Sequence, residues 1–340
     1  MSIGSPPARL GAPADFPVPS ASMETPTPAA FEDWLRSLDG FAAAGVLALH
    51  PVEGGASNII LRASLANAPL PAVLLRLQRE RGIFEPYDVL REAAVLRRLR
   101  PSPVPVPRVV GEESDRTVLG APFVVLEWVD APHMGVAGPE ASFSAYAAMV
   151  ARIHALDWRA LGLDEVLPVP DSAAAATSAE IEVIAGRMER FPGADAPILR
   201  RALAVLRERV PGGAPVGFCQ GDINVFNYLF RGGEVAAVVD WEQARLGDTR
   251  NDVAQVLALG HLKGAPFGPV RDQFFLQAYE AARGEGELAD MAFFRARWLF
   301  ELGVIYHGWR AFNDDLPWYG WNHLEELLEL ALGELERPAS

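Results

Sequence analysis

Two apolar runs, 228–230 and 235–239, are split by Arg231-Gly232-Gly233 and form the clearest pattern along the chain. Strand-forming residues on either side of a glycine turn predict a β-hairpin, and its second strand delivers Asp240 at its end. Upstream, Phe31, Trp34, Leu35 and Leu38 recur at helical spacing and predict a short leading helix over 31–38. An apolar strand follows Gly54-Gly55, a second covers 72–76 and ends on Arg76, and a helix is expected over 87–99. That helix would bury Val89, Ala93, Leu96 and Leu99 and leave Arg97, Arg98 and Arg100 in solvent. The prolines of 101–107 stop it and keep the chain extended. A turn at 118–122 then leads into an apolar strand over 123–129.

Beyond residue 131 the helical period takes over. Helices are predicted at 142–156, 178–191, 197–210, 253–259, 270–283, 289–312 and 322–335. Strands gathered early and helices late give an α+β chain in two parts, a smaller lobe over 29–127 and a larger one over 128–336. Residues 1–28, rich in Pro, Ala and Ser, are expected to form a disordered or loosely attached arm.

Composition narrows the class. At 340 residues, half of them hydrophobic, the chain has material for a sizeable core in two lobes. The net charge of −14 repels nucleic acid and anionic membrane but favours a cationic ligand. Lys263 is the only lysine, so arginine carries the positive charge. The single cysteine, Cys219, excludes an internal disulfide and fits a reducing cytoplasm. Neither a signal-peptide core nor a run of 18 apolar residues is present, so no membrane span is expected.

Chemistry concentrates around the hairpin. Asp222 opens a loop, Asn227 follows five positions later, and Asp240 comes eighteen after Asp222. Phosphoryl transfer needs a carboxylate to take the proton of the acceptor hydroxyl, and oxygen ligands that hold magnesium against the nucleotide phosphates. Asp222 suits the first task. Asn227 and Asp240 suit the second, because magnesium takes few protein oxygens and completes its octahedron with phosphate and water. Asp and Asn also make plain local turns, and the neighbouring Trp241-Glu242 and Gly247-Asp248-x-x-x-Asp252 weigh against that reading here.

These motifs resemble the aminoglycoside phosphotransferase and choline kinase group, relatives of the protein kinases, whose pattern is His-Gly-Asp-x-x-x-x-Asn followed by Asp-Trp-Glu or a variant. The resemblance implies a protein-kinase-like two-lobed fold, with a small antiparallel sheet in the N-terminal lobe and a mostly helical C-terminal lobe. It implies Asp222 as catalytic base and Asn227 and Asp240 as Mg2+ ligands. ATP or GTP would be the donor and a small-molecule hydroxyl the acceptor. Three residues depart from the pattern: Gln220 stands for His, Asn224 for His or Lys, and Phe226 for Gly. A glutamine can still donate and accept hydrogen bonds as a loop brace. These departures also motivate an alternative, a nucleotide-binding module without turnover.

For the nucleotide, Gly54 and Gly55 with Ser57 and Asn58 would form the phosphate-facing turn, or simply a hairpin. Arg76 would take the place of the kinase lysine, with Glu92 as its helix partner, or would cap a surface strand. Glu127 would stand where the connecting strand meets the base. His154, at the end of a packed helix, reads as structural. Asp248 and Asp252 are expected to cap the helix after the hairpin and to hold the loop that carries Asp240. The aromatic and acidic stretch from Trp309 to Trp321, including Asp314, Asp315 and Trp318, would either line the acceptor site or pack the last helices together. An aminoglycoside is one acceptor class; the Asp-Trp-Glu form also resembles members found with acyl-CoA dehydrogenases, which suggests a hydroxyacyl or other carbon-metabolism alcohol.

Overall fold

The computed structural model describes residues 26–52, 57–134, 139–262, 269–284, 286–313 and 316–337. Gly54, Gly55, Asp314 and Asp315, named above, lie outside the described residues, as does nearly all of the N-terminal arm. Helix α1 (Pro28–Arg36) starts at a Thr27 cap whose hydroxyl accepts from the Ala30 amide. It buries Phe31, Trp34 and Leu35 of the expected stripe, while Leu38 lies beyond its end and is half-buried.

Five strands follow: β1 (Gly45–Pro51), β2 (Ile59–Ala66), β3 (Ala72–Leu77), β4 (Val109–Glu113) and β5 (Phe123–Glu127). They pair antiparallel in the order β1-β2-β3-β5-β4. Side chains alternate across a strand, so Val73, Leu75 and Leu77 join α1 and its neighbours in one core. Leu74 and Arg76 therefore point to the opposite face. That single alternation delivers an arginine to the space between the lobes. Helix α2 (Val89–Leu99), capped by Asp88, packs beside β4 and β5, with Val89, Ala93, Leu96 and Leu99 buried as the periodicity requires. Glu92 is buried with them. β4 has no strong alternation and was not foreseen, while a short helix α3 (Arg116–Leu119) occupies part of the expected turn before β5.

The larger lobe is helical: α4 (Pro139–His154), α5 (Ala173–Arg190), α6 (Pro197–Glu208), α7 (Arg250–Gly260), α8 (Pro269–Arg283), α9 (Met291–Phe312) and α10 (Trp321–Glu336). α4 packs on α8, while α9 runs against α6, α7 and α10. Between them lie two short sheets, β6 (Gly217–Cys219) with β9 (Arg245–Gly247), and the hairpin β7 (Tyr228–Arg231) with β8 (Glu234–Val238). The fold is two-lobed, a small antiparallel sheet against a helical lobe, as the α+β reading required. No described helix is long and apolar enough to cross a membrane.

Candidate functional site

The lobes enclose a cleft of about 870 Å³, lined from above by Ile60, Leu74 and Leu126 and from below by Asp222, Asn227 and Asp240. Each polar group reaches it for a local reason. β6 ends at Cys219, a buried thiol whose pKa burial pushes well up, which makes it an inert filler. Gly221 then turns with φ +91, and a Cβ there would sit 2.1 Å from the Gln243 carbonyl oxygen. Only glycine lets the two loops approach so closely.

Gln220 locks the loops together. Its Nε2 donates to the Val239 and Asp240 carbonyls at 3.2 and 2.8 Å, and its Oε1 accepts from the Asp222 amide at 3.0 Å. The glutamine in place of the family histidine is thus a complete brace. Asn224 turns inward on its own loop and accepts from the Phe226 amide. Asp252 corrects the sequence expectation. It lies inside the first turn of α7 and accepts from the Gln220 and Gly221 amides at 2.8 and 3.3 Å, so it holds the loop of Asp222 rather than capping its own helix. Asp248 does cap, accepting from the Arg250 amide. Burial alone would raise the pKa of Asp252, but hydrogen bonding from His154 and the Arg245 charge outweigh it and hold it below the usual carboxylate range. His154 is structural, tied to Asp252 and to Tyr279.

Asp222 sits at the floor of the cleft between two amide donors. Asn227 Nδ2 lies 3.0 Å from Oδ2, and Gln255 Nε2 lies 2.6 Å from Oδ1. Burial pushes its carboxyl up to about 6, with the Asp240 charge adding and the two amides drawing it back. Asp240 follows β8 in the left-handed region, φ +62, a conformation that Asp tolerates better than most residues. This turn aims its carboxylate at β3, where Arg76 Nη2 lies 2.7 Å from Oδ1. Arg76 Nη1 contacts both oxygens of Glu92, at 2.5 and 2.6 Å, and Glu92 Oε1 also accepts from the Trp241 amide. Arg76 is 4% exposed, so the surface-cap alternative does not describe it.

Ser57 lines the cleft, and its hydroxyl and the Asn58 amide both turn to Glu242, Asn58 Nδ2 at 2.7 Å. The structure thus joins both to the Asp-Trp-Glu segment. Glu127 lines the cleft where β5 leads into the larger lobe, and its amide donates to the Arg108 carbonyl. Of the aromatic stretch, Trp309, Trp318 and Tyr319 line the cleft, whereas Trp321 packs against Tyr306 and His307, so the two readings divide by residue. Gln255 was missed in the sequence. Its signal was helical spacing: it stands three positions after Asp252, on the same face.

Glu92, Asp240 and Glu242 surround the single guanidinium of Arg76, three carboxyls to one cation in a largely buried place. Burial, with Asp240 adding, raises the carboxyl of Glu242, and burial likewise raises that of Glu92. A site so charged suits a cation. Asn227 commits its nitrogen to Asp222, which leaves its amide oxygen free as an acceptor, and both Asn227 and Asp240 line the cleft. Among the described residues no group of three His, Cys, Asp or Glu could hold a metal by itself. Two protein oxygens completed by phosphates fit magnesium, which binds that way.

A sheet lobe and a helical lobe closing on such a cleft define the kinase-like class of small-molecule phosphotransferases. The chain belongs to the phosphotransferase enzyme family, whose model matches residues 48–294. A structure of the aminoglycoside phosphotransferase APH(4)-Ia, a thermostable mutant in ternary complex with ADP and hygromycin B, has the same fold at 14% identity. Its TM-score is 0.65, covering 91% of this chain and 100% of that one. Acyl-CoA dehydrogenase family member 10 of Mus musculus is 27% identical over 73% of this chain and 23% of its own length. Probable acyl-CoA dehydrogenase IBR3 of Arabidopsis thaliana is 27% identical over 84% of this chain and 38% of its own length. The chain therefore spans less than two fifths of either of these relatives.

Proposed function

We propose that this protein transfers the γ-phosphoryl group of ATP or GTP to a hydroxyl of a small molecule, with Asp222 taking the hydroxyl proton. The observation that carries the proposal is Asp222 itself, on the cleft floor, fixed by two amides and with its carboxyl raised to about 6. A base so tuned is ionised at neutral pH yet basic enough to share a proton as the oxygen attacks phosphorus. The acceptor oxygen forms its bond to the γ-phosphorus, the bond to the β–γ bridging oxygen breaks, and the nucleoside diphosphate leaves. Asn227 and Asp240 would hold Mg2+, which when bound offsets the charge of the phosphates. Arg76, oriented by Glu92, would contact the phosphates, with Ser57 and Asn58 nearby. The strand ending at Glu127 would meet the base.

The acceptor follows from a different observation. Two sequence relatives, each 27% identical to this chain, bear acyl-CoA dehydrogenase names, and this chain matches only a part of each, which favours a hydroxyacyl or related carbon-metabolism alcohol. An aminoglycoside is the competing class, and a cytoplasmic location fits either. Magnesium-dependent nucleotide consumption against a panel of hydroxyacyl compounds, simple alcohols and aminoglycosides tests the reading. Turnover with one class supports it; nucleotide binding with no turnover on any member would leave a binding module in its place.

A further inference from the structure

Between β3 and α2 the chain leaves the smaller lobe and crosses to the larger one. Ile83, 2% exposed, is buried with Ile181 and Ile184 of α5. Phe84 lines the cleft, the Arg187 guanidinium lies 5.3 Å from its ring centroid, and Glu85 pairs with Arg190 at 2.8 Å. The segment folds back on itself as it crosses. The Gly82 amide donates to Glu85 and the Phe84 amide to the Tyr87 hydroxyl at 3.2 Å, and a Cβ at Gly82 would lie 2.2 Å from that hydroxyl. Residues 79–87 thus form one lip of the cleft.

Arg79 stands at the root of this lip, its amide donating to Asn58 Oδ1 at 3.4 Å. Four arginines of the described residues are buried: Arg76, Arg79, Arg250 and Arg297. Three of them lie within 2.9 Å of a carboxylate oxygen. Arg79 has no carboxylate and no side-chain hydrogen bond among the described residues, although it is only 7% exposed. Its Nε is enclosed and unpartnered, whereas Nη1 and Nη2, also unpartnered, are not enclosed. Burial draws its pKa down, and among the described residues the only ionisable group acting on its charge is the Tyr87 phenol. Burial raises that phenol in turn, so it keeps its proton, for which the described residues hold no acceptor. Two neighbouring donors therefore lack anything to receive them. A charge buried without a partner is costly, and its presence calls for a reason.

We propose that Arg79 and Tyr87 form a phosphate-binding site on the lip of the cleft, the two Nη groups gripping phosphate oxygens and the phenol O–H donating to another. A guanidinium fork matches two oxygens of a phosphate group, and the charge assists both bonds. Tyr87 is also within the field of Glu242, which lines the cleft, so the site lies on the cleft side of the lip. Arg76 is already committed to Glu92 and Asp240, while the charge of Arg79 is uncommitted. The phosphate group is carried by the nucleotide or by the acceptor, and the two sources are separable.

The site is defined without reference to Asp222 or to turnover, so its test needs neither. The 15N-labelled full chain is titrated with inorganic phosphate, first alone and then saturated with ADP. The Arg79 Nε resonance is followed, assigned through bonds from its own backbone amide. Phosphate is expected to shift it where chloride at equal ionic strength does not, and Arg79→Met and Tyr87→Phe should each bind phosphate roughly tenfold more weakly. A response to phosphate that ADP replaces identifies the nucleotide as the carrier; a response that survives saturation with ADP identifies the acceptor. Arg79→Met also removes an unpaired buried charge, so it should melt at or above the wild-type temperature in phosphate-free buffer. A wild type blind to phosphate, an equal response to chloride, wild-type affinity in either variant, or a lowered melting temperature in Arg79→Met would overturn the proposal. A failure of phosphoryl transfer would strike the reading of Asp222 and leave this measurement intact.

Discussion

Arg76 and Asp240, 164 positions apart, meet across the cleft with the guanidinium Nη2 2.7 Å from the carboxylate. One planar cation thus joins the smaller lobe to the larger one while its other nitrogen spans both oxygens of Glu92. A lysine keeps the charge and loses the fork. Arg76→Lys is expected to weaken nucleotide binding by about tenfold, the equivalent of one charge-assisted hydrogen bond. Arg76→Met leaves three carboxylates facing one another and should lower stability by about 3 kcal/mol or more. Nucleotide titration and denaturant melts check the two variants; a lysine variant equal to the wild type would return Arg76 to a structural role.

Asp222→Asn keeps the shape of the loop and removes the base. Turnover should fall roughly 100-fold or more, with nucleotide affinity little changed, measured in a single turnover.

The same substitution has a consequence for stability with a definite sign. The Asp222 pKa is raised from 3.8 to about 6 in the fold, so the folded protein holds that proton more tightly than the unfolded chain does. Its contribution is present below pH 4 and is lost as pH rises through about 6. A shift of this size corresponds to about 3 kcal/mol, reduced by solvent that reaches the cleft floor to about 2 kcal/mol. Asp222→Asn should therefore gain stability over the wild type at pH 7.5 and lose most of that advantage at pH 4.5. Chemical denaturation at both values measures it.

Asp240→Ala is expected to abolish the magnesium-dependent part of nucleotide binding, and Asn227→Ala to reduce it less, since only the carboxylate brings charge to the ion. Calorimetry with and without magnesium separates them. Equal affinities in both variants and the wild type would place the ion elsewhere.

Gly221→Ala would force a Cβ to 2.1 Å from the Gln243 carbonyl oxygen at a left-handed φ. Because the obstacle is backbone, the two loops must part, and a loss of about 3 kcal/mol or more is expected, with turnover falling alongside it. A variant with wild-type melting would show that the loops approach less closely than this.

The elements of this fold were legible because each is written in a local period. The stripe of α2, the stripe of α1 and the glycine turn of the hairpin need only their own neighbours to be read. β4 escaped because a half-exposed strand of five residues carries too little alternation to stand out. Asp222, Asn227 and Asp240 could be singled out because loop and hairpin keep them within eighteen positions of one another.

The sequence by itself determined which residue types were available and in what local frame: a carboxylate and an amide on one loop, a second carboxylate after a strand, an arginine on an alternating strand. Tertiary structure decided what each one touches. Asp252 follows the hairpin in the chain yet grips the backbone before Asp222, and Gln255 shares its helix face but has its purpose set by a carboxylate 33 positions earlier. The raised carboxyl of Asp222 likewise comes from burial between lobes and from the charge of Asp240. Hydrogen bonds and desolvation act through space over a few ångströms, whereas periodicity acts along the chain, so partners that meet only when the chain folds leave no mark in the order of residues.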